Sequence, residues 1–105
     1  IRALEPIGLF FFEEPVPPDN VDALARLARA EMNVNLATGE RLFTKWGFRE
    51  ILEKRAASIL QPDLSHAGGI HETHLIAGMA EAYYAVVAPH CPLGPVALAA
   101  CIQLD

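Results

Sequence analysis

Leu9-Phe10-Phe11-Phe12, closed by Glu13-Glu14-Pro15, is the stretch on which the fold turns. Four consecutive apolar residues have the length of a short strand. Their lack of alternation belongs to a strand buried on both faces, as in parallel sheets. Three runs of similar length follow: Val34-Asn35-Leu36-Ala37, Ser58-Ile59-Leu60-Gln61 and Ala85-Val86-Val87-Ala88. The last is again continuously apolar.

Helical patterns separate these runs. Val21, Leu24, Ala25, Leu27 and Ala28 share one helical face, with Asp19 or Asn20 placed to cap it. Phe48, Ile51 and Leu52 mark a second helix, for which Thr44 is the expected cap. Glu50 and Lys54 lie four apart on its other face, in the favourable order. Ile70, Ile76, Met79, Ala80 and Tyr83 mark a third helix after Gly68-Gly69. A fourth opens at Gly94-Pro95, with proline in a first turn. The order β-α-β-α-β-α-β-α predicts an α/β fold with a parallel sheet and right-handed crossovers. An open doubly wound sheet and a (β/α)8 barrel both satisfy it.

The chain has 105 residues, 52% hydrophobic and 20% charged, which excludes disorder and suits one domain spanning residues 1–105. Its formal net charge of −5 leaves no basic footprint for nucleic acid or for a membrane surface. No apolar run approaches the ~20 residues that cross a bilayer. Two cysteines, Cys91 and Cys101, fit free thiols in a reducing, cytoplasmic setting. Residue 1 is isoleucine, and residues 97–105 read as a helix without a stop signal. A piece of a longer protein is therefore expected.

Each run delivers an ionisable residue to its C-terminal end: Glu13, Glu40, Asp63 and His90. The spacings from 13 to 40, 40 to 63 and 63 to 90 are 27, 23 and 27. A barrel of ~250 residues has units of about 31, so these intervals suit one βα repeat each. Parallel strands bring such ends to one rim, where α/β active sites lie. Glu13 and Glu40 suit a hard divalent cation such as Mg²⁺. Asp63 and His90 suit a dyad in which the carboxylate fixes the tautomer of a general base. Together the parts describe proton abstraction from carbon next to a carboxylate.

Four segments then carry a family resemblance. They are Phe12-Glu13-Glu14-Pro15, Ala37-Thr38-Gly39-Glu40-Arg41, residues 61–69 (QPDLSHAGG) and residues 88–95 (APHCPLGP). The chain resembles the enolase superfamily, in its mandelate-racemase subgroup, over essentially its whole length. The resemblance implies a partial (β/α)8 TIM-type barrel, with about four βα units matching the fourth to seventh strands. It implies Glu13 and Glu40 as Mg²⁺ ligands, His90 as the base and Asp63 as the residue that tunes it. It implies a small acid sugar as substrate and a homo-oligomeric full-length protein. The family's third ligand, an aspartate, lies outside residues 1–105. So do the histidine that serves as its acid and a further glutamate. The 105 residues alone are expected to be inactive. Asn35, Tyr84, His71 and His74 depart from common family residues at packing and capping positions.

The remaining polar and aromatic residues have structural readings. Glu14 should point away from Glu13, either supporting the site from behind or joining a strand-end ion pair, and Arg41, which follows Glu40, should pair with a neighbouring carboxylate rather than with substrate. His66 reads as a solvated loop residue, with a rim position near substrate as the alternative; Phe43 and Trp46 read as anchors of the second helix, and Cys91 as a packing thiol. A non-catalytic piece that keeps a barrel-like sequence is the competing hypothesis.

Overall fold

The computed structural model describes residues 1–30 and 32–104; Asp105, at the end of the expected last helix, lies outside them. After a 3₁₀ segment at Arg2–Ile7, four βα units follow. They comprise β1 (Phe11–Glu13), α1 (Val21–Ala28), β2 (Asn35–Thr38), α2 (Thr44–Glu53), β3 (Ile59–Leu60), α3 (Leu64–Ala67), α4 (Gly69–Ala82), β4 (Val86–Val87) and α5 (Pro95–Leu104). The strands form one parallel sheet in the order β1-β2-β3-β4. A doubly wound sheet reverses direction partway. Sequential order with right-handed crossovers puts every crossover helix on one face, which is the winding of a barrel.

The core lies between the sheet and that helical layer. Leu24 and Ala25 of α1, Phe48, Ile51 and Leu52 of α2, and Ile76 and Ala80 of α4 meet Leu36 and Leu60 of the sheet. Phe12 and Val87 pack against the same cluster. Pairing sets Phe12 beside Leu36, and Leu60 beside both Thr38 and Val87, so these residues share the helix-facing side. By alternation Phe11, Glu13, Asn35 and Val86 occupy the opposite side. Val86 is 59% exposed there. The continuous burial expected of the last run is therefore absent; the first run fails it too, at Phe10, which precedes β1 and is 78% exposed. The physical reason is that β1 and β4 are the two edges of the sheet, and helices cover one face only.

Asn20 caps α1, its side chain accepting from the Ala23 amide at 3.0 Å. Lys54 closes α2 by bridging Glu50 at 2.6 Å and Asp22 of α1 at 2.7 Å. Thr44 does not cap α2. It is the helix's first residue, at φ 53°, and the Lys45 amide donates instead to Glu72 Oε1 of α4 at 2.8 Å. The same carboxylate receives the Lys45 ammonium at 3.2 Å, so a tertiary contact replaces the local cap. Among the described residues no helix is long and apolar enough to cross a membrane.

Candidate functional site

The sheet ladder continues past the strand ends and carries the ionisable residues with it. Glu14 N donates to Ala37 O at 3.0 Å, Gln61 N to Thr38 O at 2.9 Å and Ala88 N to Leu60 O at 2.8 Å. His90 N donates to Pro62 O at 3.1 Å, and Asp63 and His90 stand opposite each other as a parallel bridge. Residues 27 apart in sequence thus become cross-strand neighbours.

Gly39 makes the approach of Glu40 possible. Its φ is 142°, a region costly for any residue with a Cβ, and an added Cβ would lie 2.8 Å from Gln61 N and 2.9 Å from Phe48 Cε1. Only a bare backbone lets the end of β2 lie this close to the end of β3. The next residue then reaches the mouth.

Asp63 uses both carboxylate oxygens. Oδ1 accepts from the Ser65 amide at 2.8 Å and starts α3; Oδ2 meets His90 Nδ1 at 3.0 Å. Burial pushes the Asp63 carboxyl up, for the residue is 1% exposed. The hydrogen bonds from His90 and Ser65, with the nearby His66 ring, outweigh that and hold it below its ordinary value. Asp63 is both a helix cap and the partner of a histidine.

On its far side, His90 Nε2 lies 3.1 Å from Glu40 Oε2. A neutral imidazole has one N–H, so it can donate to only one of the two carboxylates. Both contacts are satisfied together only by an imidazolium, or by a proton shared with Glu40. The ring is suspended between the buried Asp63 carboxylate at Nδ1 and the half-buried Glu40 carboxylate at Nε2.

Glu14, not Glu13, joins the adjacent ion-pair network. Arg41 Nε lies 3.8 Å from Glu14 Oε2 and 3.5 Å from Glu40 Oε1, so the strand-end ion pair expected of Glu14 forms. Burial raises the Glu14 carboxyl above its ordinary value; the negative charges of Glu40 and Glu13 add to the rise, and Arg41 opposes it. Glu13 stands exposed at the end of β1 and has no hydrogen bond or ion pair among the described residues. The structure thus brings Glu40 and Asp63 into direct contact with His90, and leaves Glu13 at the same rim without a hydrogen-bond or ion-pair partner among the described residues. Among the described residues no group of three His, Cys, Asp or Glu side chains is arranged to hold a metal ion.

The donor chemistry still suits a hard cation. Three carboxylates crowd one rim, and among the described residues Glu13 is unpartnered and the buried Glu14 Oε1 and Gln61 Oε1 have no hydrogen-bond partner. Glu13 and Glu40 offer carboxylate oxygens that could hold such an ion.

Two features of this rim escape sequence reasoning: the contact of Glu40 with His90 and the exposure of the aromatic residues. Phe43 is 65% and Trp46 67% exposed, so neither anchors α2. They lie off the Phe48-Ile51-Leu52 stripe that faces the core. The Lys45 ammonium lies 5.2 Å from the Trp46 ring instead.

A model of the family described as "Enolase C-terminal domain-like" matches residues 1–105. The chain is 56% identical, over all 105 residues, to proteins named D-galactonate dehydratase from Variovorax paradoxus (strain S110) and Ralstonia nicotianae (strain ATCC BAA-1114 / GMI1000). It spans 27% of the length of each. Among solved structures it is similar to a mandelate racemase/muconate lactonizing enzyme-like protein from Roseovarius sp. TM1035. Identity is 51% and the TM-score 0.94, covering 98% of this chain and 26% of that one. A mandelate racemase/muconate lactonizing enzyme from Sulfitobacter sp. matches at 50% identity and a TM-score of 0.94, again over 98% of this chain and 26% of the other.

Proposed function

We propose, because this chain belongs to the enolase C-terminal domain-like family, that it forms part of an Mg²⁺-dependent hydro-lyase acting on D-galactonate. The observation that carries the reading is the 3.0 Å hydrogen bond between His90 Nδ1 and Asp63 Oδ2 at the rim where strand ends converge. Asp63 holds the ring at Nδ1 and fixes its orientation, so Nε2 is the atom that takes the proton from carbon 2, next to the substrate carboxylate. Glu13 and Glu40 are the residues that would hold Mg²⁺. When bound, the ion supplies electrostatic stabilisation of the negative charge that develops on the substrate's carboxylate oxygens. Departure of the 3-hydroxyl then yields an enol that tautomerises to 2-dehydro-3-deoxy-D-galactonate. The proton for that leaving group comes from outside residues 1–105. The 56% identity to two proteins named D-galactonate dehydratase supports this choice of acid sugar. The same reading makes the full-length protein a homo-oligomer.

The test is turnover of a panel of acid sugars, including D-galactonate, gluconate and mannonate, by the full-length protein with Mg²⁺. D-galactonate should give the 2-dehydro-3-deoxy product. In deuterium oxide, exchange at carbon 2 should persist in the wild type and vanish in His90→Asn. Preference for another acid sugar would overturn the substrate assignment. Retained exchange in His90→Asn would overturn the role of the ring.

A further inference from the structure

We propose that His66, backed by Phe43, contacts the hydroxyl-bearing tail of the substrate and sets which acid sugar is preferred. The inference rests on the acid-sugar reading above. His66 belongs to α3, immediately beyond Asp63, and so stands at the same rim. Its Nδ1 lies 3.3 Å from the Glu40 backbone carbonyl, 26 residues away in sequence. A carbonyl only accepts, so Nδ1 carries the hydrogen and the neutral ring keeps a lone pair on Nε2. That nitrogen has no hydrogen-bond partner among the described residues. Phe43 flanks the ring, with centroids 6.2 Å apart and planes at 36°.

A solvated loop histidine needs neither restraint. Here the backbone acceptor fixes the tautomer and the aromatic neighbour limits the swing of the ring. One exposed acceptor then stands beside an exposed apolar surface. A polyhydroxy chain presents the complementary pattern of O–H donors alternating with C–H groups. A positioned hydrogen bond of this kind contributes to binding of substrate: among the described residues the His66 ring makes no hydrogen bond to His90 or Asp63, and its influence on that pair is only the through-space effect of a nearby ring on the Asp63 carboxyl.

The experiment uses the full-length protein with Mg²⁺. His66→Ala should raise KM for D-galactonate about five- to tenfold, the loss expected for one neutral hydrogen bond, while kcat stays within about twofold. It should also shrink the difference in kcat/KM between D-galactonate and acid sugars epimeric at a distal hydroxyl. His66→Gln, which restores an acceptor, should recover most of the KM. An unchanged KM and unchanged preference in His66→Ala would overturn the inference and leave the dehydratase reading standing. So would an equal fall in kcat for every acid sugar that Gln does not rescue. Absence of turnover of any acid sugar by the wild type would overturn both.

Discussion

Replacing Gly39 by alanine tests the packing that brings the ends of β2 and β3 together. The added Cβ would lie 2.8 Å from Gln61 N, 2.9 Å from Phe48 Cε1 and 3.0 Å from Gln61 C. Two of these atoms are backbone, and Phe48 is fully buried, so no flexible tip can yield. A side chain at φ 142° costs about 1–3 kcal/mol. Overpacking against the core adds about 1–3 kcal/mol. The stiffer unfolded chain returns only about 0.4–1 kcal/mol. The net loss is then on the order of 2–5 kcal/mol, a large share of the roughly 5–15 kcal/mol that holds a domain. Relief by separating the strand ends would also draw Glu40 away from His90. Urea unfolding of the full-length variant should show a lower midpoint with an unchanged slope. Gly78→Ala is the control: Gly78 lies within α4 with open space around it, and alanine there should be neutral or stabilise by up to about 1 kcal/mol. A Gly39→Ala variant within about 0.5 kcal/mol of wild type would refute the steric reasoning.

Three further outcomes follow from the site and the sheet. Asp63→Asn should lower kcat about 10–100-fold in the full-length enzyme, measured at saturating substrate. Its depressed carboxyl contributes stability above the unfolded value of 3.8 that is lost as pH falls through the folded one, so acid-unfolding curves of wild type and variant should converge below that point. Glu14→Gln should raise the melting temperature of the metal-free protein at pH 7, because the wild-type carboxyl is pushed up by burial and by like charges. The gain should disappear as pH drops below 4.5 and the wild-type group protonates; a gain that persists there would exclude an electrostatic origin. The 105 residues prepared alone should melt at a temperature that rises with protein concentration, since edge strands and residues such as Val96 and Ile102 lie exposed. A sharp, concentration-independent transition would contradict that.

Much of the architecture was legible because parallel-sheet units repeat a simple physical pattern. The apolar runs marked every strand, and the helix stripe Phe48-Ile51-Leu52 faces the core as its spacing requires. Boundaries were less legible. The first strand is Phe11–Glu13 rather than residues 9–12, since pairing depends on β2 and not on local hydrophobicity. The sequence pattern does not show α3, because four residues carry no period; its signal is Asp63 itself, a residue type suited to capping a helix start. Thr44 misled because the cap of α2 arrives from Glu72, 27 residues downstream of the amide it satisfies. The candidate site was legible as a set of strand ends. Its internal wiring was not: nothing local in the sequence says that Glu40 meets His90, or that Glu14 shares Arg41 with Glu40 while Glu13 has no partner among the described residues.

The divided duty of Asp63 limits how this rim can change. One carboxylate oxygen starts the short helix that displays His66, and the other aims the ring of His90. Under the proposed dehydratase reading, a change that reshapes this loop must keep that aspartate in place to keep both the helix start and the aim of the ring. Drift in this segment is therefore channelled to the neighbours that touch neither oxygen. Libraries meant to alter selectivity should vary Phe43 and His66 while holding Asp63 constant.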